Sequence, residues 1–353
     1  MSGTSPLYST GKSLAAMAAD LTPRCKFEAC DARQAQAWQR RARRELGDTL
    51  RFLDQDPVAP RVRTLETVDR GEYLRKKILI HTSTHDRMPV YLLVPKNATG
   101  PLPCVLALHG HGYGVRDIVG LFQDGAERYE PEGYHADFAC ELVKRGFLVA
   151  APEIAGFGER NPYYQAGATR PEWSGCYRLS MDSLMLGGTL PGLRVWDTMR
   201  LVDYLESRSD VRPGSIGAMG ISGGGMLTFF AAAMDPRIRA SVISGYFCEW
   251  EGSIQGCDHC VCNFVPGILQ LGKLSDLAGL IAPRPTLVEH GTRDADFPIR
   301  FVRRAVKRSR KAWEAFDQGE RLQTDIFEGQ HRIHGKKAYD FLQRHLREEP
   351  VPC

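Results

Sequence analysis

From residue 77 onward the chain alternates short apolar runs with stretches in which apolar side chains return at helical spacing. The runs predict strands at 77–82, 89–94, 103–108, 147–152, 215–221, 240–246, 286–290 and 322–327. The periodic stretches predict helices at 135–144, 193–207, 223–234, 299–316 and 335–346. The first two runs flank the turn-prone 83–87 and predict a hairpin. Each helix falls between strands or after the last one, which requires a mostly parallel sheet with helices on both faces. Upstream, Trp38, Ala42, Leu46, Leu50 and Leu53 recur at helical spacing with Arg40, Arg41, Arg43 and Arg44 between them. That pattern predicts a helix from Asp31 whose arginines face solvent, ended by Pro57 and Pro60. The organisation read from this is a helical extension over 1–70 packed on an α/β domain over 71–353 with an eight-stranded sheet.

Two connections, 153–191 and 247–273, are too long for simple loops and hold Tyr163, Tyr164, Trp173, Tyr177, Phe247, Trp250 and Phe264. Long connections in a compact domain are usually functional. Both leave the carboxyl ends of the predicted strands, where open parallel sheets bind ligands, so both are expected to act as lids over a pocket.

The 353 residues, 43% of them hydrophobic, can build one large core with appendages. A formal charge of +4 gives no field that argues for nucleic acid or a membrane surface. The basic run Arg300, Arg303, Arg304, Lys307, Arg308, Arg310 and Lys311 shares its segment with Val302, Ala305, Val306, Ser309, Trp313 and Phe316. It therefore reads as the outer face of an amphipathic helix, not as a nucleic-acid site. No apolar run approaches the roughly 20 residues of a membrane span, and no basic stretch leads into an apolar core at the start. The expectation is a soluble, cytoplasmic chain, most of whose ten cysteines are reduced thiols, with a homo-oligomer left open.

The densest candidate chemistry lies at Gly220-Ile221-Ser222-Gly223-Gly224, between a predicted strand and a predicted helix. A turn this sharp holds its serine in strained backbone angles and leaves no volume beside it, which calls for glycine at 220 and 224. Ser222 becomes a candidate nucleophile, with the Gly223 amide at the helix start as an oxyanion donor. A serine needs a base. His331 and His334 follow the last strand; His331 is preferred because it comes first and Gly329 frees the turn, with His334 second. The acid is expected after the preceding strand, where Asp294 is preferred and Asp296 reads as a helix-start residue. The turn His109-Gly110-His111-Gly112 after the third strand supplies the His111 amide as second oxyanion donor.

These motifs, together with Gly291-Thr292-Arg293-Asp294 and Glu328-Gly329-Gln330-His331, resemble the α/β-hydrolase superfamily. The branch they are most similar to contains dienelactone hydrolases and acetyl-xylan-type or cephalosporin-deacetylating esterases. The resemblance covers roughly residues 75–348 and implies an α/β-hydrolase fold, a serine hydrolase acting on a small-molecule carboxylic ester through an acyl-enzyme, and no cofactor. Small dienelactone hydrolases commonly carry cysteine where this chain has Ser222. An amidase, thioesterase or C–C hydrolase on the same residues, or a non-catalytic binding protein of this fold, are the alternatives.

Metal binding is not expected. His109 and His111 share one turn without a carboxylate partner, and Cys257-Asp258-His259-Cys260-Val261-Cys262 packs its ligands too tightly in sequence to wrap one tetrahedral ion. That cysteine-rich stretch reads as pocket-lining lid.

Overall fold

A computed structural model describes residues 10–163 and 174–347. Tyr164, Trp173 and Cys353 lie outside the described residues. The strands are β1 (Arg63–Asp69), β2 (Tyr73–His81), β3 (Arg87–Pro95), β4 (Leu102–Leu108), β5 (Leu148–Pro152), β6 (Val211–Ile221), β7 (Ile238–Ser244), β8 (Thr286–Gly291) and β9 (Leu322–Phe327). They form one sheet in the order β1-β2-β3-β5-β4-β6-β7-β8-β9. The pairs from β1 to β5 are antiparallel, and those from β5 through β4 to β9 are parallel. The sheet thus has nine strands where the apolar pattern predicts eight. The extra one, β1, is an edge strand whose residues are almost all exposed, so it lacks the apolar alternation that marks the others.

The helices are α1 (Thr10–Ala19), α2 (Ala32–Leu50), α3 (Phe138–Lys144), α4 (Cys176–Met185), α5 (Leu190–Glu206), α6 (Gly223–Met234), α7 (Ile268–Leu271), α8 (Leu274–Leu277), α9 (Ile299–Glu314) and α10 (Ala338–Arg347). No helix among the described residues is long and apolar enough to cross a membrane.

Alternation along β4 shows how the sheet is covered. Cys104, Leu106 and Leu108 enter the core shared with α2, α5, α6 and α9, whereas Val105 and Ala107 enter the core shared with α3 and α10. Local signals set the helix starts: Asp31 caps α2 by accepting the Gln34 N–H at 2.8 Å, and Thr189 caps α5 by accepting the Gly192 N–H at 2.9 Å. The apolar face of α2 is Ala35, Trp38, Ala42, Leu46 and Leu50, all buried.

One expectation about α2 changes. Arg43 is not on a solvated face: it donates to the carbonyls of Ala233 and Leu280, while Gln39 donates to those of Gly279 and Ala282. The helix therefore stops open carbonyls at the end of α6 and in the 278–282 turn. The basic run on α9 is also engaged. Arg308 meets Glu249, and Arg310 donates to the carbonyls of Gly319 and Leu322.

Of the two long connections, the first carries α4 and the second is a chain of short helical turns, Trp250–Gly252, Val261–Asn263 and α7. The second brings Asp258, His259, Cys260 and Asn263 into the cleft that holds Ser222, and the first meets the neighbouring turn where Cys176 Sγ lies 4.0 Å from His111 Nε2.

Candidate active site

The site is built at the carboxyl ends of β4, β6, β8 and β9, and its most constrained piece is the turn after β6. Ser222 sits at φ 58°, ψ −121°, a left-handed conformation that side chains other than glycine rarely adopt. It is held there from both sides. Its N–H donates to Ser244 O at 3.0 Å and its carbonyl accepts from Met226 N at 2.8 Å. A β-carbon at Gly220 would come 2.4 Å from Gly224 O, and one at Gly224 would come 1.9 Å from Leu108 O. The glycines therefore let α6 start directly against β4. Replacing Gly224 with alanine should force those backbones apart at a cost of about 1–3 kcal/mol, with loss of turnover. A variant that melts and turns over like the wild type would show that the turn can relax freely.

His331 projects from the loop after β9. Its imidazole lies between Phe297, stacked at 5.8 Å, and Tyr134, tilted at 5.4 Å. A β-carbon on Gly245, the residue after Ser244, would meet the ring at 2.8 Å. Nδ1 lies 2.6 Å from Asp294 Oδ2, and Asp294 Oδ1 accepts the backbone N–H groups of Asp296 and Phe297 at 3.0 and 3.1 Å. The two backbone bonds aim a buried carboxylate, and the Nδ1 proton donated to its Oδ2 fixes the tautomer that leaves His331 Nε2 as an acceptor. Nε2 has no partner among the described residues. Ser222, His331, Tyr134 and His111 line one cleft of about 270 Å³, with Asp258, Asn263 and Asp296 also in its lining.

Of the two second-choice residues, Asp296 lines the same cleft, with its carboxylate within 4.8 Å of the ligand atoms of Asp294 and His331, whereas His334 is occupied elsewhere. His334 bonds through Nδ1 to Asp325 at 2.8 Å and stacks on Phe327. Its backbone N–H and that of Gly335 are taken by the buried Glu289, which also accepts from Ser244 Oγ. Burial pushes the Glu289 carboxyl above its usual range. Glu289 ties the loop bearing His331 to the strand end beside Ser222.

The His109–Gly112 turn lies across the start of α6: a β-carbon on Gly223 would sit 3.3 Å from His111 Nδ1. This turn is braced by residues that no sequence motif marked. Gly110 N–H donates to His135 Nε2 at 2.9 Å, and His135 Nδ1 meets Asp117 at 3.1 Å. Tyr134 donates its phenolic proton to His111 O while its own carbonyl accepts from Ile333 N at 2.8 Å, linking the turn to the His331 loop. His109 Nε2 accepts from Ile154 N at 3.2 Å and approaches Glu153.

His135 must be neutral at Nε2 to accept from Gly110, and burial lowers its pKa accordingly. His290, buried behind Asp294, is lowered for the same reason. A folded-state value depressed below the ordinary 6.5 means that the unfolded chain takes up the proton first, so this contribution to stability is present above 6.5 and lost as pH falls. Raised carboxyls such as Glu289 act in the opposite sense, so the effect is read by difference. The fall in melting temperature between pH 7.5 and pH 5 should be smaller in His135→Gln than in the wild type. Equal falls would remove His135 from the acid response.

A sharp strand-to-helix turn carrying a strained serine after a central parallel strand, with a paired histidine and carboxylate on loops after later strands, places the chain in the α/β-hydrolase class. The chain belongs to the Abhydrolase family, whose model matches residues 6–345. YtaP of Bacillus subtilis (strain 168), assigned as a hydrolase, is 32% identical over 265 residues, covering 73% of this chain and 81% of YtaP. The fold is shared with a Bacteroides fragilis NCTC 9343 structure assigned as an acetyl xylan esterase, at TM-score 0.76, 17% identity and coverage of 95% and 89% of the two chains. It is shared also with a glucuronoyl esterase from Solibacter usitatus, at TM-score 0.64, 16% identity and coverage of 93% and 99%.

Proposed function

We propose that this chain hydrolyses a carboxylic ester through an acyl-enzyme formed on Ser222. His331 Nε2 takes the hydroxyl proton as Ser222 Oγ attacks the ester carbonyl, then returns it to the departing alcohol. Asp294 holds the imidazole in the required tautomer and stabilises its charged form. The backbone N–H groups of His111 and Gly223 receive the oxyanion. Water then repeats the sequence on the acyl-enzyme and frees the acid. One observation carries the reading: the strained Ser222 shares a cleft with a histidine whose Nδ1 is bound to a buried carboxylate at 2.6 Å and whose Nε2 is free. The esterase assignments of two structures with this fold support an ester as the scissile bond.

A fluorophosphonate probe followed by peptide mapping tests it. Labelling confined to Ser222, and abolished by prior acylation with an activated ester, is the expected result. A folded protein that takes no label would sink the mechanism.

A further inference from the structure

Three segments far apart in the chain deliver soft metal ligands to one point beside the candidate active site. His111 comes from the turn after β4, Cys176 opens α4 in the first long connection, and Cys260 and Cys262 lie at the Val261–Asn263 turn in the second. One ligand atom from each lies within 4.8 Å of all the others. His111 Nε2 is 3.5 Å from Cys262 Sγ and 4.0 Å from Cys176 Sγ. Tetrahedral zinc, with bonds of about 2.3 Å to sulfur and about 2.05 Å to nitrogen, places its nitrogen and sulfur ligands about 3.5 Å apart and its sulfurs about 3.8 Å apart. The two nitrogen–sulfur distances are close to that spacing, and all four donors lie within 4.8 Å of one another. The expectation that no metal binds counted only ligands close in sequence; the fold adds His111 and Cys176.

A second observation is independent of the spacing. Arg194 is buried, stacks over Phe157 and donates to Ala155 O and, at 3.3 Å, to Cys176 Sγ. Among the described residues no carboxylate pairs with it. A buried guanidinium needs a compensating charge, and a thiolate group supplies one. Three thiolates and a neutral imidazole around a divalent ion carry one net negative charge, which Arg194 balances.

We propose that His111 Nε2, Cys176, Cys260 and Cys262 bind a structural Zn²⁺. Three thiols each release a proton as they coordinate, and with four protein ligands the ion has no open position for water or substrate. Its effect is mechanical: it ties both long connections to the His109–Gly112 turn, whose His111 N–H is the oxyanion donor of the proposed function. The inference does not depend on which bond the enzyme cleaves.

The full-length protein, purified with thiol reductant and supplied with zinc, should retain about one zinc per chain after gel filtration, as inductively coupled plasma mass spectrometry would measure. Cys176→Ser and Cys262→Ser should each weaken retention by about tenfold or more, and Cys30→Ser, at an exposed cysteine outside the cluster, should not change it. Cobalt in place of zinc should give the visible bands of a tetrahedral thiolate complex. Because cysteine variants can misfold, the wild type provides its own check: zinc should shield Cys176, Cys260 and Cys262 from iodoacetamide, and a chelator should expose them. No retained zinc in the folded wild type, a disulfide among these cysteines under reducing conditions, or serine variants that hold zinc as well as the wild type would overturn the proposal.

Discussion

Ser222→Ala should lower turnover of an activated ester by about 10⁴-fold or more while the protein stays folded, since nucleophile loss in such sites leaves only the contribution of oxyanion donors and binding. The position is more informative than most because its backbone is strained at φ 58°. A non-glycine residue in such a region costs of order 1–3 kcal/mol, and alanine keeps the β-carbon that causes it. Ser222→Gly should therefore be equally inactive yet melt at a higher temperature than Ser222→Ala. Inactivity with a higher melting point identifies a residue kept for chemistry at the expense of stability. Near-wild-type turnover in either variant would refute the nucleophile assignment.

His331→Ala should reduce turnover to a similar extent, because the proton on Ser222 then has no acceptor and Asp294 is left buried without its partner. His334→Ala provides the contrast. That ring is bonded to Asp325 and stacked on Phe327, so its loss should lower the melting temperature and leave turnover within about tenfold of wild type. Steady-state kinetics and thermal melts on both variants separate the cases. If His334→Ala is the inactive one, the base has been placed on the wrong histidine.

Which features the sequence disclosed follows from how local their signals are. β4 through β8 are buried over nearly their whole length, so their apolar runs announce them. β1 bonds to β2 along an exposed edge and carries no such run. The candidates Ser222, Asp294 and His331 each stand one to four residues past a strand end with a glycine within three positions, where backbone requirements reach the sequence directly. Between Asp294 and Asp296, or His331 and His334, the choice rests on partners tens of residues away, which only folding reveals. Tyr134, His135 and Glu289 act by joining loops, and nothing in their neighbours marks them. The cysteines show the same limit more sharply: His111 and Cys176 are separated from Cys260 in the chain and meet it only in three dimensions.

The donors on α2 impose an order on synthesis. Gln39 and Arg43 bond to carbonyls at positions 279, 280 and 282, some 240 residues later in the chain. While the nascent polypeptide is growing, α2 leaves the ribosome early with Trp38, Leu46 and Leu50 exposed, and its docking surface, begun by α5 and α6, is not complete until the segment after β7 has emerged. A ribosome stalled before that point should display a helix that chaperones recognise, and one released beyond it should not. A helix translated well before its partners is thus among the last to be secured.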